Sequence, residues 1–161
     1  MARSTYVYVT YIRTTPEQLW SALTDARFIQ QYWFSMQVEC RWTVGSAWRM
    51  LSGEGQLYDE GEIVEADPPR HLVIRWQHMN RPELKAEGHS LCTMDLEPSD
   101  TTVKLSITHS IERDPSKFIE AVSAGWPKVL SNLKSLLETG SIALQNPNPT
   151  GNPYGKQAAS S

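Results

Sequence analysis

Polar and apolar positions alternate along most of this chain, and the period of the alternation changes only a few times. Residues 5–13 run Thr-Tyr-Val-Tyr-Val-Thr-Tyr-Ile-Arg, a β-branched and aromatic series that predicts a first strand. The pattern then turns helical. Thr15 can cap a helix, Pro16 suits its first position, and Gln18 can reach back to complete a capping box. Leu19, Trp20 and Leu23 give that helix an apolar face, and Asp25 reads as the cap of a second short helix that buries Phe28, Ile29 and Tyr32.

Period two dominates from about residue 36 to residue 110, which predicts a meandering antiparallel sheet. Gly45, Gly53 and Gly55 mark turns or close backbone approaches. Asp67-Pro68-Pro69 separates a strand ending near Glu65 from one beginning at His71, and Pro98-Ser99-Asp100 closes a later hairpin. Alternation puts Leu72, Ile74, Trp76 and His78 on one face and Val73, Arg75 and Gln77 on the other. The same parity turns Cys92, Met94 and Leu96 inward, followed by Val103, Leu105, Ile107 and His109. Residues 80–88 are polar and read as a long loop. Asp114-Pro115 then opens the longest helix, whose apolar stripe is Phe118, Val122, Trp126, Val129, Leu133 and Leu136. Pro127 should bend or restart it near Gly125, and Gly140 should stop it. The expected division is a domain over residues 1–140 and a flexible tail over 141–161, where proline, glycine and serine replace anything that could be buried.

Length and composition narrow the function. A chain of 161 residues supports one sizeable core. The net charge of −3 comes without any basic run, so neither nucleic acid nor an anionic membrane surface is an expected partner. Cys40 and Cys92 fit no C-x-x-C spacing, and Cys92 falls in a strand as a small buried side chain. With no signal-peptide layout and no apolar run of membrane-spanning length, the expected location is cytoplasmic.

The order of strand, two short helices, six-strand meander and long C-terminal helix resembles the START-like helix-grip (SRPBCC) superfamily. The closest likeness is to its branch of activator of Hsp90 ATPase homologue 1-like domains. It is carried by Thr15-Pro16-Glu17-Gln18-Leu19-Trp20 with Leu23-Thr24-Asp25, by Tyr32-Trp33, and by Val44-Gly45. Gly61-Glu62-Ile63-Val64-Glu65 running into Pro68-Pro69, Leu72-Val73-Ile74-Arg75-Trp76, Thr101-Thr102-Val103, and Gly125-Trp126 followed by Leu130 and Leu133 extend it over roughly residues 5–140. Ser46 departs from it, where the family often has a second glycine after Gly45. The resemblance implies an α+β helix-grip fold: a curved antiparallel sheet wrapped around a long C-terminal helix, with two short helices after the first strand and a cavity between sheet and helix. Relatives bind apolar or aromatic small molecules, bind proteins, or catalyse cyclisation or hydrolysis, so the fold leaves the function open.

Candidate chemistry centres on the tryptophans. Trp33, Trp48, Trp76 and Trp126 could wall a ligand cavity together with Ile63, Met94, Ile107, Phe118 and Val122. The competing reading is that these rings interdigitate and leave no room. Trp20 reads as scaffold, and Trp42 falls on no assignable side. His78 and His109 would be polar anchors at the cavity mouth. With His89 they invite a zinc reading, but His89 has the wrong parity, and neither a metal nor a cofactor is expected. Glu60 or Glu62 should meet Arg75 across the outer face. Asp59 shares the parity of Gly61 and Ile63 and, if inward, places an acid in the pocket as a possible general base. No nucleophile motif stands out. The leading reading is non-enzymatic binding of a small apolar or aromatic ligand. The alternatives are a protein-interaction module with a chaperone partner, weakened by the lack of the eukaryotic co-chaperone's N-terminal domain, and a cyclase or hydrolase acting on an aromatic polyketide-like substrate. A homodimer through a sheet edge is compatible with any of these.

Overall fold

A computed structural model describes residues 2–145. Strand β1 (Ser4–Ile12) is followed by helices α1 (Pro16–Thr24) and α2 (Ala26–Tyr32). Strands β2 (Gln37–Cys40), β3 (Ala47–Leu51), β4 (Leu57–Asp67) and β5 (His71–His78) come next. A one-turn helix α3 (Pro82–Lys85) precedes β6 (Ser90–Ser99), β7 (Thr102–Ile111) and the long α4 (Lys117–Thr139). The seven strands form one antiparallel sheet in the order β1-β7-β6-β5-β4-β3-β2. Six strands in chain order thus make a meander, and β1 closes onto the last of them.

The helix starts follow from side-chain caps. Thr15 accepts from Gln18 N at the start of α1, and Asp25 accepts from Arg27 N at the start of α2. Helix α4 begins two residues later than the Asp114-Pro115 signal suggests, because Ser116 is the residue whose hydroxyl accepts from Ile119 N. A second anchor comes from outside the helix. The Glu87 carboxylate accepts from Ser116 Oγ at 2.6 Å, from Lys117 N at 2.8 Å and from Phe118 N at 3.3 Å. The stretch expected to be plain loop therefore contains α3 and a carboxylate that ties it to the N-terminus of α4, where negative charge is favourable. Pro127 neither ends nor restarts α4, which runs on to Gly140 in a left-handed C-cap. Ala143 N and Leu144 N then donate to Asn132 Oδ1, fastening the chain just past α4. The remainder of the expected tail, residues 146–161, lies outside the described residues.

The inner face of the sheet follows the alternation. Leu72, Ile74, Trp76 and His78 are buried, as are Cys92, Met94, Leu96, Val103, Leu105, Ile107 and His109. On the outer face Glu62 pairs with Arg75 at 2.7 Å. One close approach shapes the interior. Gly61 lies opposite Trp48 on β3 and opposite Trp76 on β5. A Cβ at Gly61 would sit 1.6 Å from the Arg75 carbonyl oxygen, so only glycine fits. Strands two apart in a sheet are separated by about 9.6 Å. The ring centroids of Trp48 and Trp76 are nevertheless only 4.4 Å apart, so both lean in over the strand between them.

Candidate functional site

The rings expected to wall a cavity meet one another. Trp33, at the C-cap of α2, lies 6.1 Å from Trp76 and 5.2 Å from Trp126 of α4. Trp76 and Trp126 are 5.9 Å apart and near perpendicular, the edge-to-face arrangement that aromatic quadrupoles favour. The expected hollow is therefore closed by its own walls. Two small voids remain, one on each side of the Trp33–Trp76 contact. The first, about 20 Å³, is bordered by Trp33, Trp48, Trp76 and Met94 together with Trp42. The second, about 10 Å³, lies against Trp33, Trp76, Val122 and Trp126. Each has room for about one water molecule. A drug-sized ligand needs about 300 Å³ or more.

Six of the eleven candidate residues thus border a void. The other five, Ile63, His78, Ile107, His109 and Phe118, are buried without reaching one. His78 and His109 consequently sit in the interior and not at a mouth. His89, by contrast, is exposed just before β6.

What surrounds the two inward histidines is polar and ordered. Trp126 Nε1 donates to His109 Nδ1 at 3.1 Å. The His109 proton must then be on Nε2, which lies 2.9 Å from Ser90 Oγ. Ser90 Oγ in turn donates to the Trp76 carbonyl at 2.9 Å. Burial lowers the His109 pKa to about 3, so the ring is the neutral tautomer that this chain of donors requires. A few ångströms away, Trp76 Nε1 donates to Asp59 Oδ1 at 3.0 Å, and His78 Nδ1 lies 2.8 Å from the same oxygen. Asp59 is inward, as its parity suggested, and fully buried. Uncompensated, a carboxylate and two imidazoles in an aromatic interior would be costly. Here their hydrogen bonds orient Trp76 and Trp126 and hold those two rings in place.

Trp33 is the exception. Its Nε1 is buried and has no hydrogen-bond partner among the described residues. It borders both voids, as Trp76 does, and irregular backbone follows it. The two residues after it, Phe34 and Ser35, have φ of 50° and 66°, in the left-handed region that disfavours side chains.

Two contributors were missed in the sequence reading. Ser90 shares the parity of Cys92 and could have been read as inward, but a serine at a strand start gives no signal for a relay. Trp42 is half-buried in the β2–β3 connection with φ of 61°, where no periodicity applies. It covers the outer side of the larger void.

Residues 13–138 match the family described as Activator of Hsp90 ATPase homolog 1-like protein. None of the curated proteins compared with the chain matches it. Several solved structures do. Protein MLL2253 from Mesorhizobium loti is 25% identical, with 86% of this chain and 100% of that one covered and a TM-score of 0.72. The Aha1 dimer from Colwellia psychrerythraea is 22% identical over 85% of this chain and 98% of that one, with a TM-score of 0.69. An HSP90 activator from Plasmodium falciparum is 21% identical over 83% of this chain and 95% of that one, with a TM-score of 0.68. At the latter two identities the likeness is one of fold.

Proposed function

The chain belongs to the Activator of Hsp90 ATPase homolog 1-like family, and from that premise we propose that it binds a small apolar or aromatic molecule inside the tryptophan cluster, without converting it. The observation that carries this reading is the buried Trp33 Nε1 with no acceptor, set between two voids. Leaving such a donor unpaired costs about 1–3 kcal/mol. A ligand oxygen would remove that cost.

The closed state is the resting form in this reading. Trp48 and Trp76 stand on inner strands, and Trp76 and Trp126 are pinned by Asp59 and His109. Trp33 has no such tie and is the ring that swings. A ligand that buries ~200 Å² of apolar surface gains roughly 5 kcal/mol. Parting the Trp33 ring contacts gives up about 0.5–1.5 kcal/mol each, which offsets part of that gain. The preferred ligand is a flat apolar molecule carrying one carbonyl or phenol oxygen.

Titration with 1-naphthol and flavone, followed by tryptophan fluorescence, tests this. Saturable quenching is expected, and Trp33→Phe should weaken it about tenfold, the equivalent of one hydrogen bond. No quenching by any member of a broad aromatic library would refute the reading.

The closed cluster itself favours a second reading, a protein-interaction module like the HSP90 activator of the same fold. Stimulation of an Hsp90 ATPase by the purified chain, with no response to aromatic probes, would select it.

A further inference from the structure

A sheet edge exposes backbone donors and acceptors that can template a new strand, and proteins usually guard it with charge, proline, a bulge or shortness. The two edges of this sheet differ in that respect. The β2 edge has only four residues and carries Glu39, which pairs with Arg49. The β1 edge is nine residues long and contains no charged residue, proline or glycine. Its register with β7 is unbroken from Ser4↔Ile111 to Ile12↔Val103, so no bulge twists it away. Its outer face presents Val7 at 57%, Val9 at 44% and Tyr11 at 50% exposure.

Helix α4 shows which backbone groups look outward. Lys134 Nζ donates to the Tyr11 carbonyl, and Arg13 N donates to Glu138 Oε2 at 2.8 Å. In an antiparallel strand the outward groups belong to alternate residues. Thr5, Val7 and Val9 therefore also turn their N–H and C=O groups to the free side. The far end of the edge is covered by α4, and these three residues are left open.

We propose that a second copy of this chain pairs antiparallel on β1, with the two-fold axis at Val7. Val7 then lies opposite the partner's Val7, and Thr5 opposite the partner's Val9. Three such pairs form about six backbone hydrogen bonds and join two sheets into one. The register suits a copy of the same chain. It sets the outward Arg3, paired with Glu112 in its own chain, against the exposed ring of the partner's Tyr11, an attractive cation–aromatic contact. On the inner face it sets Tyr6 against the partner's Tyr8, and these two residues already stack within one chain at 6.5 Å.

Sedimentation velocity of the full chain from about 5 to 500 μM tests this, with Val7→Lys as the disrupting variant. Its side chain is exposed, so the melting temperature should hold. The wild type should dimerise with rising concentration and the variant should remain a monomer. A wild type that is monomeric throughout overturns the proposal, as does a dimer indifferent to Val7→Lys. Should that variant unfold, oxidative cross-linking decides. Val7→Cys places two thiols on the axis, with Cα atoms about 5.5 Å apart and within disulfide reach. It should cross-link between copies, whereas Thr5→Cys, displaced along the strand, and the wild type with its two native cysteines should not. Cross-linking of both cysteine variants, or of neither, overturns the register and the interface with it.

Discussion

Two histidines pull the pH dependence of stability in opposite directions, because one is sealed among aromatic rings and the other lies between two carboxylates. Burial holds His109 down to a pKa of about 3. Its contribution is complete above the ordinary histidine value of about 6.5 and is lost as pH falls towards 3, because the unfolded ring takes up a proton that the folded ring refuses. His71, on the outer face, has Nδ1 2.6 Å from Asp95 and Nε2 2.9 Å from Glu65, and its pKa is raised, chiefly by the Asp95 hydrogen bond. Its contribution is complete below about 6.5 and is lost as pH rises through the raised folded value. Thermal melts across pH check both signs. His109→Gln should remove up to one proton's worth of acid sensitivity, about 1.4 kcal/mol per pH unit, between roughly pH 6.5 and 4. The gap in melting temperature between wild type and His71→Asn should narrow above neutral pH. An unchanged acid slope in the first variant, or a gap that widens with pH in the second, contradicts the assignment.

At the scale of elements, a glycine and a glutamate do what no repeat pattern announces. Gly61→Ala drives a methyl group into the Arg75 carbonyl of the neighbouring strand. It should cost about 2–4 kcal/mol, seen as a lower urea midpoint. Glu87→Gln keeps the size of the α4 cap but removes its charge. Burial alone would raise the Glu87 pKa, but its hydrogen bonds from Ser116, Lys117 and Phe118 outweigh that and hold it below the usual carboxylate range. The variant should lose about 1 kcal/mol at neutral pH, a difference that shrinks as pH falls through the lowered folded value and the wild-type carboxyl is itself protonated. The strands themselves were legible, because a two-residue period has one buried face: it placed Trp76, His78, Met94, Ile107 and His109 inward and put Glu60 or Glu62 beside Arg75, of which the structure pairs Glu62. For Asp59 it gave only a shared parity with Gly61 and Ile63, and the structure buries it. The start of α4 was misread because Asp-Pro and Ser are both good caps, and the choice between them depends on Glu87, some thirty residues earlier.

Across the whole molecule, the question that the sequence left open was whether four tryptophans line a space or fill it. Parity and helical spacing bring the rings to one place, since each depends on a single element. They do not say how far each ring reaches, because ring positions are set by neighbours on four different elements at once. Gly61 lets two rings converge, the buried Asp59 and His109 pin Trp76 and Trp126, and Trp42 covers the outer void from a loop without periodicity. The outcome is a closed cluster in which the buried Trp33 Nε1 has no hydrogen-bond partner among the described residues. The central claim, that this cluster opens for a small ligand at Trp33, is tested most directly by the indole N–H signals of ¹⁵N-labelled protein during titration with an aromatic carbonyl compound such as flavone. The Trp33 Nε1–H signal should move downfield and saturate as it gains an acceptor, with Trp20 unmoved. A Trp33 signal that stays in place across a library of such compounds would contradict the account.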